Sequence, residues 1–287
     1  MKTSHTIAIV TDSTCDIPED LIRRHEITVL PAYVIWGDEQ FRDRIDLQAD
    51  AFYRRLVDDP VYPSSAHPTP GTFRETYAAL RNDGAEAIVV LTVSSALSGT
   101  YNAAVQAATM SEVPVHVIDS KGPSMSLGWQ VLAAARARDA GKDVDAVVKA
   151  AETARAHMAQ LVSMNSIEYL HKGGRIGNAV KLLGMALRIK PVVYINHETG
   201  TVEIEKAART SKRAMRALYE GFFERLDTDK PLHIAVMHGG VPEEAQALAD
   251  RIREAFDPQE LLINITGPVL GINTGPGALA LAGYHEA

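Results

Sequence analysis

The chain predicts an α/β domain built on a parallel sheet layered with helices, over residues 1–160, and then an α+β domain over residues 161–287. Three observations carry that reading. In the first part, short β-branched apolar runs alternate with helical patterns, the rhythm of βαβ units. In the second, two apolar runs flank an ETGT turn, as the strands of an antiparallel hairpin do. A length of 287 residues with 46% hydrophobic side chains also suits two cores better than one.

Taken in order, TIAIVTDS is a strand ending in a turn, and ITVLPAYVIWG followed by DEQF is a strand running into a hairpin. LQADAFYRRLVDD has the apolar stripe of an amphipathic helix. In HPTPGTFRETYAALRNDG, Thr69 is placed to cap a helix whose first residue, Pro70, has the φ that position needs and no N–H to leave unpaired. EAIVVLTVSS and VPVHVIDSK read as buried parallel strands, followed by helices over about 98–110 and 127–140. A helix from Val144 to about Gln160 closes the first half. Beyond it, LVSMNSIEYL, KPVVYINHETGTVEIEKAAR, LHIAVMHGG and ELLINITG are strands, with helices over 179–187, 211–225 and 242–256.

Three stretches carry hydroxyls, glycines and prolines but no charge: 60–73, 87–111 and 261–284. Neutral donors of this kind suit a weakly charged head on an otherwise apolar ligand. The last two are long enough to raise a membrane span. Five glycines, two prolines and two asparagines in 261–284, and the serines and threonines within 87–111, argue instead for a buried strand, a loop and a helix start. The N-terminus shows no apolar core of signal-peptide length, so a cytoplasmic protein is expected.

A formal net charge of −7 argues against a general nucleic-acid or membrane-surface binder. The charge is uneven: between His171 and Arg216 ten Lys/Arg outweigh three Asp/Glu, which predicts a basic face. A single cysteine, Cys15, excludes an internal disulfide framework and any multi-cysteine zinc site. GPGALA matches a dinucleotide fingerprint, but the sequence given does not extend far enough beyond it to supply the acidic ribose partner. No P-loop is present, GPSMS falls one residue short of a nucleophile elbow, and no H-E-x-x-H occurs. Ser94, Ser95 and Ser98 follow a buried strand and open a helix, where they serve either as caps or as donors around an anion. Ser64 and Ser65 precede the Thr69 cap in the same way.

Six blocks, IVTDSTCDIP, YPSSAHPTPGTF, SSALSGTY, VIDSKGPSMSLGW, EYLHKGGRIG and GPVLGINTGPGALA, resemble in order the DegV family of bacterial fatty-acid-binding proteins. That group includes the lipid-carrying subunits of bacterial fatty acid kinase. The resemblance implies a two-domain protein with a long-chain fatty acid buried between the domains and its carboxylate held by hydroxyls. On this chain the lipid-binding positions are Ser64, Ser65, Ser94, Ser95, Asn273 and Thr274. Arg175, in the Gly-Gly-Arg segment, and Arg209 are expected to meet an ATP-dependent kinase partner. No cofactor is implied beyond the lipid.

Two departures stand out. Ser65-Ala66-His67-Pro68 replaces the family's Thr-Ser-Gln-Pro, and Asn273 stands where a histidine is usual. Asn donates a hydrogen bond but cannot become cationic. Carriage of a lipid for a partner kinase is the expected function. A lipid sensor or store without a kinase, or an enzyme using Ser95 or Cys15, are the alternatives.

Overall fold

The computed structural model describes residues 5–182 and 189–287, and it has the predicted class: a parallel sheet layered with helices, then a mixed sheet with its own helices. The chain opens with β1 (Ile7–Asp12), α1 (Glu19–Arg24) and β2 (Ile27–Leu30). A small antiparallel sheet in the order β4-β3-β5 is built from β3 (Tyr33–Trp36), β4 (Glu39–Arg42) and, after α2 (Ala49–Asp58), β5 (Ser64–Ala66). The first half continues through α3 (Pro70–Asn82), β6 (Ala87–Thr92), α4 (Thr100–Ala108), β7 (Val115–Asp119), α5 (Met125–Asp139) and α6 (Val144–Ala156). Strands β2-β1-β6-β7 form an all-parallel sheet. Every residue of β1 and β6 is buried, because helices cover both faces.

The second half runs β8 (Met158–Ser163), α7 (Glu168–Lys172), β9 (Lys190–Asn196), β10 (Thr201–Ala208) and α8 (Ser211–Phe223). It ends with β11 (Leu232–His238), α9 (Pro242–Phe256), β12 (Glu260–Ile265), α10 (Pro268–Thr274) and β13 (Leu279–His285). Its sheet has the order β10-β9-β8-β13-β11-β12, antiparallel except for β11 with β12.

The core is layered. Phe73 and Tyr77 of α3 and the alanines of α4 cover one face of the parallel sheet through Val10, Ile88 and Val90. On its other face Ile9, Val89 and Leu91 share a core with α5, which in turn packs on β8, β11 and β13 of the mixed sheet. Helices α8 and α9 close the far side through Leu218, Phe222, Leu248 and Ile252. Helix α5 therefore has sheet on two sides. Eleven of its fifteen residues are buried, which explains its lack of a polar stripe. Trp129 fixes it by donating its indole N–H to the Ala282 carbonyl at 3.1 Å.

The α3 start forms as predicted: Pro70 is the first helical residue and Thr69 Oγ1 accepts the Thr72 N–H at 3.2 Å. Several boundaries move. The helix expected to reach Gln160 ends at Ala156, because residues 158–163 pair along β13 instead. The LVSMNSIEYL strand stops at Ser163, and Glu168–Lys172 is helical. Of the helix expected over 179–187, the part up to Leu182 belongs to a 3-10 turn, Gly177–Leu182, and the rest lies outside the described residues. The last uncharged stretch is strand, helix and strand. β13, rich in alanine and glycine, was missed because it lacks β-branched residues. It sits between β8 and β11, where a side chain at Gly283 would come within 2.4 Å of the His233 carbonyl oxygen.

Candidate functional site

A cavity of about 1100 Å³, part of it open to solvent, lies between the parallel sheet and the mixed sheet. Its mouth is formed by β5, the loop after β6, the segment after α7, and α10. Ser65, His67, Ser98, Arg175, Asn273 and Thr274 line this end, and His67 and Arg175 are exposed there. Thr14, Ser124 and Thr266 give further hydroxyls from buried positions. The inner wall is the face of the mixed sheet: Val162, Val193, Ile195, Val202, Met237 and Ala280. Their alternation along the strands puts apolar side chains into the cavity, while Leu161, Val192 and Val236 face α8 and α9.

Close backbone approaches assemble the mouth. A Cβ on Gly173 would lie 2.1 Å from Asn273 Oδ1, so a side chain there would push the Asn273 amide out of its place. Gly275, at φ 72°, turns the chain after α10 where a side chain would run into the Tyr169 ring. The Tyr62 hydroxyl donates to the Ile272 carbonyl, tying α10 to the residues before β5. Arg175 donates to the carbonyls of Gly173 at 2.7 Å and Leu97 at 3.3 Å, joining the Gly-Gly-Arg segment to the serine loop.

The structure separates the expected lipid-binding residues into two groups. Ser65, Asn273 and Thr274 line the cavity together. The Ser65 hydroxyl makes no hydrogen bond with protein among the described residues, so it is free for a ligand. Asn273 Nδ2 donates to the Val269 carbonyl at 3.1 Å, and its Oδ1 is buried without a partner. Thr274 Oγ1 donates weakly to Leu270 at 3.3 Å. By contrast, Ser64, Ser94 and Ser95 are not among the lining residues. Ser64 is exposed on β5. Ser94 is fully buried, donates to the Gly200 carbonyl at 2.9 Å and accepts the Ala96 N–H. The Ser95 hydroxyl donates to the Asp119 carboxylate, which also accepts the Ser95 N–H at 3.1 Å. Burial raises the Asp119 pKa, but bonds from Lys121 and Ser95 outweigh it and hold the carboxyl below its usual range, so Asp119 is a weak base. His67 lines the mouth, its Nδ1 within 2.9 Å of the Pro68 carbonyl.

Arg209 is exposed but does not line the cavity, whereas Arg175 does. Cys15 is 1% exposed, and burial pushes its thiol up to about 12, far from a reactive thiolate.

Sequence reasoning missed the acidic floor beneath α10. Asp16 Oδ1 accepts from Arg44 Nη1 at 3.0 Å and from the Gly267 N–H at 2.9 Å, and Oδ2 accepts from Ser124 at 2.7 Å. Asp43 accepts from Ser13 at 2.6 Å and the Val269 N–H at 3.3 Å. Burial pushes Asp43 up to about 7 against those bonds. These carboxylates carry α10, and hence Asn273 and Thr274, on the first half of the chain. No local signal marks them, since all their partners are remote in sequence.

The whole of this architecture recurs in known proteins. A family model described as "Uncharacterised protein, DegV family" matches residues 6–286. A DegV domain-containing protein of Streptomyces coelicolor is 38% identical over 280 residues, covering 97% of this chain and 98% of its own. A DegV family protein from Thermus thermophilus, whose structure is described as one of fatty acid binding, superposes with a TM-score of 0.90 at 30% identity, covering 97% and 99% of the two chains. DegV from Bacillus subtilis, described as a fatty acid binding protein, gives a TM-score of 0.90 at 26% identity, covering 99% and 100%. With a family match over nearly its full length and relatives at this identity, the chain belongs to the DegV family.

Proposed function

We propose that this protein binds a long-chain fatty acid in the cavity between residues 1–160 and 161–287, and presents its carboxylate at the mouth to an ATP-dependent kinase partner. The observation that carries the reading is the polarity of the cavity: apolar strand faces line its inner wall, and uncharged donors gather at its open end. Each buried CH₂ contributes about 0.8 kcal/mol, so an apolar tail supplies ample affinity. The head group then needs only orientation. Ser65 supplies the free hydroxyl, Thr274 and Asn273 flank it, and His67 brings an imidazole to a mouth that has asparagine at position 273. The likeness to fatty-acid-binding DegV structures supports the same ligand.

Mass spectrometry of an organic extract of the purified protein is expected to show near one fatty acid per chain. Ser65→Ala combined with Thr274→Val is expected to weaken fatty acid binding by about 1 to 3 kcal/mol, the range for hydrogen bonds to a charged group. The matching fatty alcohol should lose less. Equal losses for acid and alcohol would show that these hydroxyls only pack, and a lipid-free extract with no rebinding of stearate would end the carrier reading.

Presentation to a kinase rests on charge. Lys172, Arg175, Lys206, Arg209, Lys212, Arg213 and Arg216 are all exposed. Arg175 stands at the mouth itself, where it meets both the cavity and an incoming partner, and Arg209 meets the partner alone. Complementary-charge docking is fast and salt-sensitive. Arg209→Glu is therefore expected to leave stearate affinity unchanged while slowing acyl-phosphate formation by the kinase subunit of the same organism, most at low salt. Normal turnover by that variant at low salt would assign the basic face another purpose.

A further inference from the structure

One side chain inside the cavity does not fit a plain hydrocarbon tail. Gln160 lies on β8, where Ala159 and Leu161 turn to the outer core and Gln160 and Val162 turn to the cavity. It is 2% exposed, and its Oε1 is buried with no hydrogen-bond partner. No hydrogen bond to its amide nitrogen occurs among the described residues either. Its neighbours on the inner wall, Val162, Val193, Ile195 and Ala280, have nothing to offer an amide. Buried polar groups are nearly always paired, so an amide left unpaired beside a ligand space marks a missing polar partner.

Gln160 is also far from the head group. It precedes Val162 by two residues on the same strand face, about 7 Å further along β8 from the α7 end that borders the mouth. An amide both donates and accepts, and a hydroxyl answers both roles.

We propose that Gln160 is a specificity-determining residue that pairs with a hydroxyl on the interior or far end of the acyl chain, so that the preferred ligand is a chain-hydroxylated fatty acid. The proposal rests on the reading of the cavity as a fatty acid site, and it deepens that reading by naming the class of chain. A hydroxyl buried against Gln160 exchanges its water for a protein partner, whereas a methylene at that place leaves the amide unpaired.

The test is competition binding of stearate against a series of monohydroxystearates with the hydroxyl moved stepwise from near the carboxylate to the terminal carbon. The native protein is expected to prefer one interior or terminal position over stearate by about tenfold, and to gain nothing from a hydroxyl next to the carboxylate. Gln160→Leu, close in volume, should reverse the order and bind stearate better than the hydroxylated chain. Gln160→Met serves the same purpose if the leucine variant folds poorly, and a thermal melt of each variant checks this. If the native protein binds every hydroxystearate no better than stearate, the proposal is overturned while the fatty acid reading stands. If stearate and the whole series fail to bind, the fatty acid reading itself has failed.

Discussion

Asp16→Ala is expected to destabilise the protein by about 3 to 5 kcal/mol, the cost of leaving one member of a buried ion pair without its partner. Asp16 is fully buried, and its carboxylate takes Arg44, the Gly267 N–H and the Ser124 hydroxyl at once. Burial raises its pKa on balance, although Arg44, the Ser124 hydroxyl and the Gly267 N–H act against that rise. Alanine leaves the Arg44 guanidinium, whose side chain is only 25% exposed, without its counter-charge, and leaves a backbone donor at the start of α10 unpaired. Equilibrium urea unfolding measures the loss. The double variant Asp16→Ala with Arg44→Met should cost less than Asp16→Ala alone, since it removes the stranded charge as well. A loss below about 1 kcal/mol for Asp16→Ala would show that the pair behaves as a surface salt bridge and does not hold α10 in place.

Ala280→Phe is expected to lower the affinity for stearate by about 100-fold while leaving the fold intact. Ala280 is 7% exposed, lies on β13 opposite Val162 and Met237, and faces the cavity. A phenyl ring there occupies the space of roughly four methylenes, about 3 kcal/mol of burial at 0.8 kcal/mol each. Because it grows into open volume, it does not strain the core as an inserted ring in packed protein would. Displacement of a fluorescent fatty acid reads the affinity, and a thermal melt reads the fold. Unchanged stearate binding by a folded Ala280→Phe protein would place the lipid elsewhere.

Much of the fold could be read directly from the residues. The β-branched runs of β1 and β6 are buried on both faces, so their composition alone marks them, and the Thr69-Pro70 start of α3 is a local device complete within four residues. The ETGT hairpin joining β9 to β10 is of the same kind. Strand β13 was not legible, since it has no β-branched residue and its Gly283 sits where the His233 carbonyl leaves no room for a side chain.

The site divides along the same line. Its chemistry, uncharged hydroxyls and an amide with a basic segment nearby, follows from residue types, and the family follows from six short blocks. Which hydroxyl faces the cavity does not. Ser65 and Ser95 look alike in sequence, yet one is open to the ligand space and the other is held by Asp119, a residue 24 positions away. Asp16 gains its meaning from Arg44, Ser124 and Gly267, as Gln160 does from the apolar strands around it. Local sequence determines backbone propensity and the kinds of groups present. Hydrogen-bond partners, burial and the direction of a side chain arise only when distant segments pack together, and those decide which of the available groups remain free to bind.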